Sequence, residues 1–517
     1  MPFGAPEARM TARPVADVSN AGIAAFREGH YAAAAGYFRT ATEMNPTDAA
    51  AFNNLGQALR AAEEIGSAAE AFKHAAGLDP AFPDPLVNLG ALAAAAGNLD
   101  AAVDCYRQAI ARRADYPEAH FNLAVALEAL GERDAAEDTY RTALRYRSGY
   151  IRALVNLAAL LAEEGHLTEA ADLLDRSQAI DPQNPYVLNG WGNVLRAQGR
   201  LPEAEVAYRA AVGAAPDFGE GRWNLSLIQL ARGNFKRGWA NYRFRPSADR
   251  HRFAIPAAPL ANDLSGRRII VGGEQGLGDE LFFLRFVPEL QARGAEVVYR
   301  PDPKIASICS RIDFLDGRID GAAVPEIPVA ELPYLLEMTS CPPSVRLAPD
   351  PGRVDKMRAK LAAAGPGPYL GITYRAGLAG TGTLFKHLPP EALGDALHGR
   401  AGTFVSLQRM PAPGETERLA AHAGKPVADF SAVNDDLEDM LALVSVLDEV
   451  VGVSNTNMHL RAGIGRPARV LVTHPAEYRW MAEGDGSPWF PEFSLYRQSG
   501  TGNWQDALTN LKSDLSK

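Results

Sequence analysis

Residues 49–82 read AAAFNNLGQALRAAEEIGSAAEAFKHAAGLDPAF, and residues 117–150 read PEAHFNLAVALEALGERDAAEDTYRTALRYRSGY. Both stretches are 34 residues long and place Asn, Leu, Ala and an aromatic residue at the same offsets. The period extends both ways, with phases near 15, 49, 83, 117, 151, 185 and 219 and no insertion. Self-similarity at this spacing marks stacked helix pairs. Where the second helix of each pair must approach the first, the column reads Ala34, Ala68, Ala102, Ala136, Ala170, Ala204 and Gly238. Four residues on it reads Phe38, Phe72, Tyr106, Tyr140, Leu174, Tyr208 and Tyr242. A small position beside a bulky one lets two helices close and then fills the groove. Pro46, Pro80, Pro182 and Pro216 end the second helices, because proline cannot continue them.

This pattern resembles the tetratricopeptide repeat over residues 15–248, seven repeats in all. The resemblance implies a right-handed superhelix whose concave groove holds a protein or peptide. One further column, Asn20, Asn54, Asn88, Asn122, Asn156 and Asn224, is interrupted only by Gly190. An amide carries both donor and acceptor, so such a ladder suits the backbone of an extended peptide. It resembles the ladder of the O-GlcNAc transferases. The other reading is that each amide bonds a neighbouring turn of the array.

The 517 residues exceed the roughly 250–300 at which a single core stops growing, so more than one domain is expected. Apolar residues at 47% and charged ones at 22% suit a soluble chain, and no run approaches a membrane span. The opening MPFGAPEARMTARPVADV lacks the features of a secretory or transit segment, and 1–14 reads as a disordered tail. Cys105, Cys309 and Cys341 are too few and too scattered for a disulfide framework or a zinc site, which fits a reducing cytoplasm. A net charge of −10 disfavours nucleic acid as a partner.

Past residue 248 the helical period lapses, and a linker over 249–262 leads to strand-like and helix-like segments in alternation. RRIIVGG, EVVYRPD, PYLGITYR, GTFVSLQ, DEVVGVS and ARVLVTH read as buried strands. The expected class is α + α/β: a helical superhelix, then a two-lobed Rossmann-like domain with halves at 263–345 and 346–517 and a cleft between them. GLGDE at 276–280, GITYRAG at 371–377, SNTNMHLRAGIGRPARVLV at 454–472, and SPWF, YRQ and NW near the end resemble the heptosyltransferase-like glycosyltransferases of the B-type fold. SNTNMH departs from that family, where an acidic residue and a run of small residues are commoner.

The resemblance implies that Asp279 is the general base, with Glu280 its neighbouring rival. Gly276 and Gly278 permit the tight turn before the helix, and Asp is also a favoured helix cap. Ser454, Asn455, Thr456 and Asn457 precede a helix whose free N–H groups suit a nucleotide phosphate. His459 matches a family histidine or simply packs. Arg375 and Lys386 flank the glycine-rich loop AGLAGTGTLFKHL and are placed to neutralise the departing phosphate, or else form a surface pair. Gln408 is placed to reach the base or ribose. No Asp-x-Asp pair or His/Cys cluster implies a metal.

Together these readings give a metal-independent transfer of sugar from a nucleotide sugar to Ser or Thr of a protein held by the repeats. Flagellin is one acceptor class met with this architecture, and such arrays can also dimerise. Two alternatives stay open: a non-catalytic scaffold with a nucleotide-sugar sensor, and transfer to a glycan or lipid precursor.

Overall fold

The computed structural model describes residues 15–246, 253, 255–274, 276–312, 326–376, 386–500 and 502–516. The expected tail at 1–14, part of the linker, and 377–385 of the glycine-rich loop lie outside the described residues. The repeats fold as helices α1 (Val15–Arg27), α2 (Tyr31–Met44), α3 (Ala49–Ala61), α4 (Ile65–Leu78), α5 (Asp84–Ala95), α6 (Leu99–Arg112), α7 (Pro117–Ala129), α8 (Arg133–Tyr146), α9 (Ile151–Glu163), α10 (Leu167–Ile180), α11 (Pro185–Ala197), α12 (Leu201–Ala214), α13 (Gly219–Ala231) and α14 (Phe235–Tyr242). The helices α2, α4, α10 and α12 each stop two residues before their proline. Proline disfavours helical backbone in the residue before it.

Two features shape each helix pair. Gly22, Gly56, Gly90 and Gly192 lie under the bulky column: a Cβ at Gly90 would stand 2.5 Å from the Tyr106 ring, and one at Gly192 2.3 Å from Tyr208. The turn between paired helices is left-handed, at Gly29, Gly97, Gly131, Gly165, Gly199 and Gly233. In the second repeat that position is Glu63, held at φ 64°. A Cβ in this region costs roughly 1–2 kcal/mol, part of which glycine returns in unfolded-state entropy.

The chain packs as two compact units, one running to 164 with 172–180, the other comprising 165–171 and everything from 181 onward. The sequence places the junction after 248, whereas the packing groups α11–α14 with the α/β elements. Trp239 and Tyr242 of α14, both buried, belong to the same apolar cluster as Phe282, Phe283, Phe286, Tyr478 and Trp489. Arg245, just past α14, is buried and donates to Glu331 at 2.6 Å and to Glu274, while Arg243 reaches Glu331 at 2.9 Å.

Within that second unit, β1 (Arg268–Gly272), α15 (Leu277–Phe283), α16 (Val287–Ala292), β2 (Glu296–Arg300), α17 (Ala306–Cys309), β3 (Glu326–Pro328) and α18 (Leu332–Leu335) come first. Their strands form a parallel sheet of order β2-β1-β3. Then follow α19 (Pro351–Ala364), β4 (Tyr369–Thr373), β5 (Arg375–Ala376), β6 (Lys386–His387), α20 (Pro390–Leu397), β7 (Thr403–Ser406), α21 (Glu415–Ala423), β8 (Val427–Asp429), α22 (Leu437–Val446), β9 (Glu449–Val453), α23 (Thr456–Gly463), β10 (Arg469–Val472), β11 (Ser494–Arg497) and α24 (Gln505–Leu515). Six of these strands make a parallel sheet of order β11-β10-β9-β4-β7-β8, and β5 pairs antiparallel with β6. Both faces of the larger sheet are buried: Val450 and Val470 enter the cluster around Trp239, and Val451, Val453 and Leu471 enter a second one with Leu393 and Leu511. Alternation at period 2 under helices on both faces explains why these strands read as continuous apolar runs. β3, β8 and β11 are short and only partly apolar, and none of them reads as a strand in the sequence.

Replacing Glu63 by Gly is expected to stabilise the first unit by about 1 kcal/mol, read as a higher urea midpoint. An unchanged or lower midpoint would show that the left-handed turn carries no strain at this position.

Candidate functional site

Ligands of parallel α/β sheets bind beyond the carboxyl ends of the strands. Three such ends meet here. β1 runs into the glycine-rich turn and α15, β9 into Ser454, Asn455 and α23, and β10 into HPAEYRW at 474–480. Gly276 occupies the cap position of α15, so Asp279, three residues later, is not the cap. Gly278 lets the helices touch: a Cβ there would stand 3.1 Å from His459 Cδ2 and 3.4 Å from Thr456 Oγ1. At α23 the Asn455 side chain is the cap, accepting from Asn457 N at 3.0 Å, and Asn457 bonds Asn434 at 3.4 Å.

Charged groups alternate across this meeting point. Asp279, whose side chain is 30% exposed, pairs with Arg479. Arg479 Nη1 lies 4.0 Å from Glu477, and Glu477 lies 3.0 Å from Lys386 Nζ. Lys386 also donates to the Ser454 carbonyl at 3.2 Å, and the Ser454 hydroxyl and Trp480 Nε1 donate to Glu477 at 2.9 and 3.2 Å. Burial alone would raise the Glu477 carboxyl, but the adjacent Lys386 and Arg479 cations, with hydrogen bonds from Lys386 and Ser454, bring it down to about 2. His459 is held well below the ordinary imidazole value by burial first and then by the Arg479 and Arg285 cations. It is therefore neutral near pH 7, packed against the rings of Phe490 (5.5 Å) and Phe282 (6.1 Å). Its Nδ1 has no partner among the described residues.

Several expected residues serve elsewhere. Glu280 is buried and accepts from Tyr299 Oη at 2.6 Å and Asp302 N at 3.0 Å, so it stands inside the β1–β2 layer and is no rival to Asp279. Gln408 does not extend toward a ligand. Its amide clamps backbone, accepting from Tyr374 N and Arg375 N and donating to the Arg375 and Arg409 carbonyls. The Arg375 guanidinium is taken by Glu415 at 3.0 Å and Met410 O at 2.9 Å, so of the two expected cations only Lys386 joins the charged group. Glu477 and Arg479 were not foreseen. The signal available was an acid and a base two residues apart, between apolar neighbours, just after a buried strand.

In the repeats the amide column is divided in its bonding. In the first unit, Asn88 donates to Asn53 at 2.9 Å and Asn156 to Tyr140 at 3.3 Å. Asn54 and Asn122 are half-buried and have no side-chain hydrogen bond among the described residues. In the second unit Asn224 donates to Asn189 at 3.0 Å. Where the amides bond the array they use their N–H groups.

The fold and its repeated columns define a chain with tetratricopeptide repeats followed by a domain of parallel sheets and helices. Family models described as tetratricopeptide repeat match residues 20–83, 127–185 and 189–238, and one described as TPR repeat matches 93–131. Protein FlbA of Caulobacter vibrioides is 27% identical over 351 residues, which cover 61% of this chain. The match spans 58% of the length of that relative. Among solved structures, a tetratricopeptide repeat protein from Parabacteroides merdae is 16% identical with a TM-score of 0.39, covering 44% of this chain and 91% of its own. YrrB, a TPR protein with an unusual peptide-binding site, is 20% identical with a TM-score of 0.30, covering 36% and 95%. No helix among the described residues is long and apolar enough to cross a membrane. No group of three His, Cys, Asp or Glu suited to a metal occurs among them.

Glu477 has a folded value below its unfolded one, so its contribution to stability is complete above the ordinary carboxylate range and fades as pH falls toward about 2. Glu477→Gln is therefore expected to be less stable than the parent by up to about 3 kcal/mol at pH 7, with the gap narrowing below pH 4. Denaturant titrations at pH 7, 4 and 3 check this. A gap that stays constant would show that the charge of Glu477 is not what stabilises.

Proposed function

We propose that the chain is a glycosyltransferase of the B-type fold that moves a sugar from a nucleotide-activated donor to Ser or Thr hydroxyls of a protein acceptor. The observation that carries this is that Gly278, next to Asp279 on α15, packs that helix against the first turn of α23. A residue with a carboxylate is thereby set close to a helix start at the carboxyl ends of β1 and β9. The N–H groups at the start of α23, with Ser454, Asn455, Thr456 and the Lys386 ammonium, hold the nucleotide phosphate and the charge that builds on it as it leaves. Asp279 takes the proton from the acceptor hydroxyl as its oxygen attacks the sugar carbon. His459, neutral and packed under this turn, supplies a ring nitrogen.

The repeats deliver the acceptor. Asn54 and Asn122 are free to bond an extended peptide, and Asn88, Asn156 and Asn224 present the amide oxygen left over from their bonds within the array. Flagellin is one acceptor class to test. FlbA is similar to this chain over the stretch given above, and its name adds nothing about substrate.

Incubation with a panel of nucleotide sugars and acceptor proteins, read by mass spectrometry, tests the reading. Asp279→Asn is expected to keep nucleotide binding and lose turnover by about 10²–10⁴-fold. Asn54→Ala with Asn122→Ala should raise the acceptor KM about tenfold, the loss of one or two hydrogen bonds, and leave donor hydrolysis unchanged. Nucleotide binding with no transfer to any acceptor would instead favour the scaffold with a sensing domain. Transfer indifferent to the Asn pair would point to a glycan or lipid acceptor.

A further inference from the structure

Arg479 and two other buried arginines of this unit are satisfied very differently. Arg285 donates to the carbonyls of Phe282, Pro342 and Trp489 and to Ser344 Oγ. Arg461 donates to the carbonyls of Val444, Leu447, Asp448 and Pro467. Both are staples between segments, bonded chiefly to backbone oxygen. The guanidinium of Arg479, a residue 7% exposed, makes one hydrogen bond among the described residues, from Nη2 to Asp279. Its Nη1 is 4.0 Å from Glu477, too far for a hydrogen bond, and its Nε has no partner among the described residues.

A guanidinium offers five N–H donors, and a buried donor without an acceptor is costly. The acceptor that suits several of these donors at once, beside a second cation at Lys386, is a tetrahedral oxyanion. The two nearby carboxylates are not equivalent. Glu477 is held from several sides by Lys386, Ser454 and Trp480. Asp279 is the more exposed of the two, bonded to the guanidinium alone, on a helix turn whose neighbouring residue is Gly278. The buried His459, 8% exposed with its Nδ1 unpartnered among the described residues, lies under the same turn.

We propose that Arg479 is the seat of a phosphate group of the donor, and that Asp279 occupies this seat until the phosphate displaces it toward the acceptor. This rests on the reading of Asp279 as the base given above. While it is bonded to the guanidinium, the Asp279 carboxylate is engaged by Arg479. Once a phosphate has taken that cation, the carboxylate is released to accept from an acceptor hydroxyl. The donor must then bind before the acceptor can be deprotonated, which keeps the site from acting on an acceptor alone.

Isothermal titration of the full chain with inorganic pyrophosphate tests the seat. Asp279→Asn removes the competing charge and is expected to tighten pyrophosphate binding at least tenfold; Arg479→Gln is expected to weaken it at least tenfold. Should Arg479→Gln fail to fold, as judged by circular dichroism, the Asp279→Asn arm decides alone. Affinity equal to or weaker than the parent in Asp279→Asn, or no pyrophosphate binding by any of the proteins, overturns the proposal. The two levels fail differently. If the transferase reading fails, no nucleotide sugar is turned over, yet the pyrophosphate pattern persists. If the seat fails, nucleotides still bind in a manner lost on Asn455→Ala with Thr456→Ala but indifferent to Asp279 and Arg479.

Discussion

The second unit depends on the burial of one indole. Trp239, from the last repeat helix, stands 5.9 Å from the rings of Tyr478 and Trp489 and about as close, at 6.0 and 6.1 Å, to Phe286 and Phe283. Edge-to-face contacts of this kind add to the area each ring buries. Their geometric effect matters more. Phe283 closes the helix that carries Asp279, and Tyr478 sits next to Arg479, so one aromatic cluster sets the position of both partners in the charged pair. The last repeats are thus part of the domain they precede in sequence.

Buried charge reinforces the same junction. Arg245, with Arg243, faces Glu331 and Glu274, two cations against two carboxylates. A buried network of this sort contributes little net stability over an apolar replacement, but breaking one partner is expensive. Its effect here is to fix geometry. Glu274 stands in the turn between β1 and α15, so the loop leading to Asp279 is tied to the end of the repeat array.

Buried arginine does two different jobs in this unit. Arg461 and Arg285 bind carbonyl oxygens at segment ends, and burial lowers both, to about 10 and about 9. Arg479 goes the other way. Burial alone would lower it, but the surrounding Tyr478, Asp279 and Glu477 raise it, so it stays firmly charged. A permanent cation with spare donors is a different object from a staple, although all three are written with the same letter.

The sequence by itself determined the repeats, because a 34-residue period with small and bulky residues at fixed offsets has one packing solution. It also determined most strands of the α/β part: β1, β2, β4, β7, β9 and β10 are apolar runs buried on both faces, which read plainly. It located Asp279 and the start of α23 at strand ends, since chain order alone gives strand, turn, helix. It could not rank Asp279 against Glu280, because one step along a helix turns a side chain by about 100° and only packing says which one faces the layer. It could not see that Gln408 and Arg375 are spent on backbone and Glu415, or that Arg479 meets Asp279 from 200 residues away. Nor could it place the junction, since the 34-residue register runs on through Gly238 and Tyr242 although their helix packs with the α/β part. Those decisions depend on which surfaces meet in three dimensions, and long-range contact carries no local signature in the chain.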